Sequence, residues 1–183
     1  MALMHSAMVE LSSPAHDFCL PGVDGKTYSL ESFKDKKALA IVFMCNHCPY
    51  VQAVLPRLID IQNDYKGAQL VGVNCNDVSL YPDDDLEHMK ELVKNLKIPF
   101  PYLFDESQET AKAYSAVCTP DIYVYGETRR LLYRGRIDDN WKEPNKVAQR
   151  DLRKAIENIL AGKEVSGEQI PSMGCSIKWK QSR

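Results

Sequence analysis

Apolar residues along this chain fall into two patterns. In the first, "ALAIVFM" (38–44) and "AQLVGVNC" (68–75) are almost uninterrupted apolar runs of strand length, the pattern of strands covered on both faces. "DFCLPGVDGKTYSL" predicts two short strands around a turn supplied by Gly22, Asp24 and Gly25, and "DIYVYGE" followed at once by "RRLLYRGRI" predicts a hairpin. In the second pattern the apolar positions recur at helical spacing. "YVQAVLPRLIDIQNDYK" carries Val51, Val54, Leu55, Leu58, Ile59 and Ile61, with Pro56 inside, so a kinked helix closed by Gly67 is expected. "DDDLEHMKELVKNLK" (83–97) predicts a helix with an acidic first turn, "SQETAKAYSA" (107–116) a shorter one, and "NKVAQRDLRKAIENILAGKE" a last amphipathic helix ending near Gly162. The closing segment "VSGEQIPSMGCSIKWKQSR" matches neither pattern.

The order is hairpin, β-α-β-α, short helix, hairpin and closing helix. Strands that alternate with helices pair in parallel through right-handed crossovers, and the late hairpin adds antiparallel strands. The expected class is α/β: a mixed central sheet flanked by helices, with an N-terminal β-hairpin and a C-terminal tail. A chain of 183 residues, 44% hydrophobic and 26% charged, is the size of one domain, placed here at 14–165. The tail, 166–183, is expected to pack on that domain, because Met173, Ile177 and Trp179 would otherwise stand in water.

Charge narrows the partners. A net charge of −2 with acids and bases interspersed gives no basic field for nucleic acid. The first residues, "MALMHSAMVELSSP", lack the basic region and apolar run of a signal peptide, and no stretch reaches the roughly 18 apolar residues of a membrane span. A cytoplasmic protein with no membrane partner is expected. In that reducing compartment the six cysteines Cys19, Cys45, Cys48, Cys75, Cys118 and Cys175 do not suggest a disulfide framework, and closely spaced ones point to catalysis or metal binding.

The pair Cys45 and Cys48 stands between an apolar strand and a helix. Thiol–disulfide exchange needs a thiolate nucleophile and a second thiol close enough to resolve the mixed disulfide, and a helix N-terminus favours the thiolate through its free N–H groups and dipole. Cys45, just ahead of the helix, is expected to be the exposed attacker, and Cys48, in the first turn, the shielded resolver. His47 can hydrogen-bond or charge-stabilise the thiolate. Cys19 and Cys75 fall on predicted strands and read as core.

A strand, a C-x-x-C, a helix with an internal proline and, much later, Thr119-Pro120 leading into a hairpin is similar to the thioredoxin fold. The opening "SPAHDFCLPGVDGKTYSLESFKDKKALAIVF" resembles the redoxin branch that contains AhpC/TSA peroxiredoxins and thioredoxin-like disulfide reductases. "FMCNHCPYV", "VCTPD", "YRGRIDD" and "PSMGCSIKWK" together resemble a bacterial redoxin-domain family. The resemblance, over about residues 14 to 180, implies a thiol–disulfide oxidoreductase without a cofactor, acting on a protein or low-molecular-weight disulfide and served by an electron-donating thiol system. It implies a cis bond at Thr119-Pro120 opposite the pair, where the preceding residue pairs with an extended substrate as an added strand. Cys118 reads as a buried small side chain, with a place in that substrate groove as the alternative.

Thioredoxin has a Trp before its first cysteine and a buried Asp in the preceding strand; here Met44 precedes Cys45 and the strand has no acid. The proton acceptor is therefore sought in His47, in "NCND" (74–77) or in "RIDD" (136–139), although a turn cap is the plainer role for Asn74, Asn76 and Asp77. Two alternatives compete. A peroxiredoxin-like thiol peroxidase would show P-x-x-x-T-x-x-C, yet Val42 and Ala38 fill those places. A metal carrier could use Cys45, His47, Cys48 and Cys175, but the second closely spaced ligand pair of a zinc pattern is missing, and no metal is assigned. For Cys175 two readings stand: a buried thiol in a stapling tail, or a third redox thiol folded back beside the pair.

Overall fold

The computed structural model describes residues 3–181. In chain order its elements are β1 (Leu3–His5), β2 (Leu20–Pro21), β3 (Thr27–Tyr28), β4 (Ala38–Phe43), α1 (Pro49–Asp64), β5 (Ala68–Asn74), α2 (Leu86–Leu96), β6 (Tyr102–Phe104), α3 (Glu109–Ala113), β7 (Cys118–Thr119), β8 (Asp121–Tyr125), β9 (Leu131–Arg134), α4 (Asp151–Leu160) and β10 (Met173–Ser176). The central sheet runs β6-β5-β4-β8-β9, with β4, β5 and β6 parallel and β8 and β9 antiparallel. It is the mixed sheet flanked by helices that the element order implies.

The apolar run of β4 is explained by its central place, since all six of its residues are buried. Ala38, Ala40 and Val42 face a core built with Val51, Val54, Leu55 and Leu58 of α1 and Leu152, Ala155 and Ile156 of α4. Leu39, Ile41 and Phe43 face a second core with Phe18, Phe33, Ala111 and Ile177. The chain leaves β4 at the carboxyl end of the sheet and enters α1 with Cys48 as its N-cap and Pro49 at the first helical position, where a missing N–H costs nothing.

Several boundaries differ from the sequence expectation. Helix α1 runs through Pro56 to Asp64 and is capped by Tyr65, whose N–H donates to the Ile61 carbonyl, so Gly67 is not its terminus. Helix α4 starts at Asp151 because residues 147–150 lie extended against the 138–139 turn, with Ala148 N–H donating to Asp139 Oδ1 at 3.0 Å. Helix α2 starts only at Leu86, capped by Asp85, while Pro82–Asp84 form a separate 3-10 turn. Cys19 is exposed, not core, because it points away from the sheet between buried Phe18 and Leu20; Cys75 is buried.

The segment that matched no pattern contains β10, the middle strand of a small antiparallel sheet β1-β10-β7. Cys175 is paired with Thr119 and Ser176 with Cys118. Gly174 is required there: a Cβ on it would stand 1.9 Å from the Thr119 carbonyl oxygen. No helix among the described residues is long and apolar enough to cross a membrane.

Candidate active site

Residues 45–48 form the short loop between β4 and α1, and three other segments close on it. Thr119 Oγ1 lies 3.5 Å from Cys45 Sγ, and Cys48 Sγ lies 3.1 Å from the Thr119 carbonyl oxygen. The Thr119-Pro120 bond is cis, as the resemblance implies. The Cys175 thiol hydrogen-bonds Cys48, so three sulfurs stand in the order Cys45, Cys48, Cys175. Cys118 is buried beneath, its thiol 3.7 Å from the Pro120 carbonyl, and burial pushes its pKa up.

Both sulfurs of the pair are buried, at 1% exposure for Cys45 and 0% for Cys48, so the expected exposed attacker is not exposed in this state. The acidity is also divided the other way round, lowered at Cys48 and raised at Cys45. The Cys45 thiol hydrogen-bonds Cys48, which with help from Thr119, the Val51 N–H and Cys175 outweighs burial and draws the Cys48 pKa down to about 4. The same bond, burial and the Asp84 charge hold Cys45 well above the ordinary thiol range. The two thiols are thus pulled apart in acidity, Cys48 down at the helix N-terminus and Cys45 up.

The segment 45–48 is strapped by a residue the sequence reading missed. Asp84, fully buried, accepts from Asn46 N–H at 2.8 Å, His47 N–H at 3.2 Å and Asn76 Nδ2 at 2.8 Å, and its Oδ2 lies 2.6 Å from His47 Nδ1. Its own carbonyl accepts from Asn74 Nδ2 at 2.6 Å. His47 stacks on Tyr81, and its Nε2 is buried with no partner among the described residues. The buried acid that β4 lacks thus arrives from the 3-10 turn after β5. "NCND" contributes Asn74 and Asn76 as positioning groups, and Asn76 Oδ1 also accepts from Lys178 N–H in the tail at 2.8 Å. "RIDD" lines the cavity beside Pro120 instead, with Asp138 paired to Arg57 at 3.2 Å.

Asp84→Asn keeps the shape but sets an amide N–H₂ against donors that need an acceptor. A loss of about 1–3 kcal/mol in unfolding free energy is expected, read from the denaturant midpoint, because buried donors lose their acceptor. Unchanged stability would contradict the strap.

Cys45, His47 and Asp84 also bring a thiol, an imidazole nitrogen and a carboxylate oxygen within 4.8 Å of one another. This differs from the set expected from sequence, and it offers three donors against the four of a closed zinc site, two of them already joined to each other. A cavity of about 300 Å³, lined by Tyr50, Val54, Pro120, Trp141, Pro171 and Met173 among others, opens beside the cis-proline. The backbone edge of Thr119, expected to be open for an extended substrate, is occupied by β10 of the chain itself.

Comparison with known proteins fits this geometry. The model of the AhpC/TSA family matches residues 11–134. An uncharacterized conserved protein from Geobacillus kaustophilus superposes with a TM-score of 0.94 at 44% identity, covering 100% of this chain and 99% of that one. A putative thiol:disulfide interchange protein DsbE from Chlorobium tepidum has a TM-score of 0.63 at 20% identity, over 85% of this chain and 98% of its own, which places the fold among the thioredoxin-like proteins. The thiol-disulfide oxidoreductase ResA of Bacillus thuringiensis subsp. konkukian is 20% identical over 126 residues, 68% of each chain.

Proposed function

Because the chain belongs to the AhpC/TSA family, we propose that it is a thiol–disulfide oxidoreductase whose redox couple is Cys45 and Cys48. The observation that carries this reading is the placement of the pair at a helix N-terminus against the cis-proline segment, with Cys45 Sγ 3.5 Å from Thr119 Oγ1 and Cys48 Sγ 3.1 Å from the Thr119 carbonyl. Cys45 precedes the helix and Cys48 is its N-cap, so Cys45 is assigned as the attacking sulfur, reached once the buried pair is opened to the substrate. A proton shift along the Cys45–Cys48 hydrogen bond moves the charge to Cys45. That thiolate attacks one sulfur of the substrate disulfide, forms a mixed disulfide and releases the other half as a thiolate. Cys48 then loses its proton, attacks Cys45 Sγ and closes the internal disulfide as the second thiolate leaves. The unpartnered Nε2 of His47, with Nδ1 held by Asp84, is the acceptor for that proton.

The cavity beside Pro120 seats the non-reacting part of the substrate, and Cys118 and Thr119 lead the chain from the pair to that proline. We place the working domain at 14–165 with 166–183 as its tail. The partners are a disulfide substrate and an electron-donating thiol system, in the reducing setting of the cytoplasm. The curated ResA relative, named a thiol-disulfide oxidoreductase, supports the reaction class.

Titration of the reduced protein by thiolate absorbance tests the couple. One thiolate is expected to appear with a midpoint near pH 4 and to vanish in Cys48→Ser. A folded pKa depressed below the ordinary thiol value of about 8.5 stabilises the fold fully above that value and progressively less as pH falls to about 4. The stability advantage of the reduced wild type over Cys48→Ser should therefore grow between those limits. A midpoint in the ordinary thiol range would overturn the lowered acidity assigned to Cys48, and peroxide consumption without disulfide reduction would overturn the exchange reaction in favour of the peroxidase reading.

A further inference from the structure

The thiol couple uses two of the three sulfurs in the row, and the third belongs to a strand with an unusual seat. β10 lies antiparallel along β7, with Cys175 opposite Thr119, the residue before the cis-proline whose carbonyl oxygen lies 3.1 Å from Cys48 Sγ. The seat is specific. Gly174 lets the β10 backbone come this close to Thr119, since a Cβ would stand 1.9 Å from its oxygen. On its other edge β10 is held by β1, with Leu3 paired to Cys175, and beyond it Lys178 is tied to Asn76 and to Gln108. Cys175 is buried to the same degree as the pair, at 2% exposure.

We propose that Cys175 is a third redox thiol that takes over the disulfide from the Cys45–Cys48 couple. This rests on the couple proposed above. Once Cys45 and Cys48 are joined, the Cys175 thiolate attacks Cys48 Sγ. The Cys48–Cys175 bond forms, the Cys45–Cys48 bond breaks, and Cys45 leaves as a thiolate that takes up the proton Cys175 gave away. Two electrons and one proton are redistributed within the chain, and no outside oxidant is needed. Cys48 is flanked by one thiol on each side, the arrangement in which one sulfur attacks as the other departs.

In the reduced protein Cys175 is held up to about 12, first by burial and then by the neighbouring Cys48 sulfur, with Lys178 acting the other way. Closing the first disulfide removes the Cys48 contribution and leaves the opposing pull of Lys178 in place, so the Cys175 pKa falls from that value while burial still holds it up. The consequence for function is that Cys45 is regenerated as a thiol while the oxidising equivalent is stored on the tail strand. That strand fills the edge where an extended polypeptide would pair, so in this state the site serves low-molecular-weight disulfides that reach Cys45 without strand addition.

The test is a disulfide map. Reduced protein is equilibrated with oxidised glutathione, quenched in acid, alkylated and digested with trypsin, which leaves Cys45 and Cys48 on peptide 38–57 and Cys175 on peptide 164–178. The two peptides are expected to be cross-linked, with the alkyl label on Cys45. Cys45→Ser oxidised with diamide should give the same Cys48–Cys175 bridge. Gly174→Ala, which lifts β10 from Thr119, should lower the bridge at least about ten-fold while the internal bond of peptide 38–57 still forms. An internal Cys45–Cys48 bond in wild type with no cross-link, and none in Cys45→Ser, overturns the third thiol and leaves the couple standing. Absence of both bonds overturns the couple as well.

Discussion

Cys48→Ser is expected to stop turnover after one half-reaction, lowering steady-state reduction of a model disulfide at least about a thousand-fold, because a serine hydroxyl at neutral pH cannot attack the mixed disulfide on Cys45. The variant should accumulate that mixed disulfide, visible as an added half-substrate mass on peptide 38–57. Cys45→Ser should lose turnover to a similar extent without accumulating it, since the attacking nucleophile is gone. The two variants therefore differ in the trapped species rather than in the rate. Trapping in Cys45→Ser and not in Cys48→Ser would reverse the assigned order of attack.

Arg134→Met is expected to cost about 3–5 kcal/mol of stability, the range for removing one partner of a buried ion pair. Arg134 and Asp121 are both fully buried and hydrogen-bonded to each other, and Arg134 also donates to the Ile122 carbonyl at 3.2 Å and the Ala7 carbonyl at 3.0 Å and lies 3.8 Å over the Tyr123 ring. Asp121 accepts from Val117 N–H at 3.1 Å, and burial raises its pKa even with the guanidinium beside it. Removing the cation leaves a buried carboxyl next to the cis-proline with its main partner gone. The loss is read from the denaturant midpoint, and the double variant Asp121→Asn/Arg134→Met should recover part of it, because the stranded charge goes too. A single-variant loss below about 1 kcal/mol would show that the pair does not hold this corner.

The legible part of the fold was the part governed by hydrophobic period. β4 and β5 are unbroken apolar runs because both faces of the sheet are covered, and α1 and α4 keep their stripes because one face meets the sheet. Short strands escaped for a physical reason: β7 has two residues and β10 four, too few for an alternation to show, and their pairing is fixed by a glycine contact and by long-range hydrogen bonds. The N-terminal strand β1 escaped in the same way. Of the site, Cys45, His47 and Cys48 stand out as candidates through a local motif, whereas the cis bond at Thr119-Pro120 came only from the family resemblance. Asp84 does not stand out, since in "DDD" it reads as one more acid in a helical first turn, and only the separate 3-10 turn aims it inward. The motifs "VCTPD" and "YRGRIDD" were singled out, but the reason they belong together, the ion pair of Asp121 with Arg134, appears only once β8 and β9 are paired.

The central claim is that oxidation and reduction pass through Cys45 and Cys48. It is tested most directly by equilibrating the protein across a series of glutathione redox buffers and counting the thiols that remain among its six cysteines. A two-electron transition that removes two thiols, with one end of the bond always at Cys48, is the predicted result. Six alkylatable thiols at every potential, or a bond that leaves Cys48 out, would contradict it.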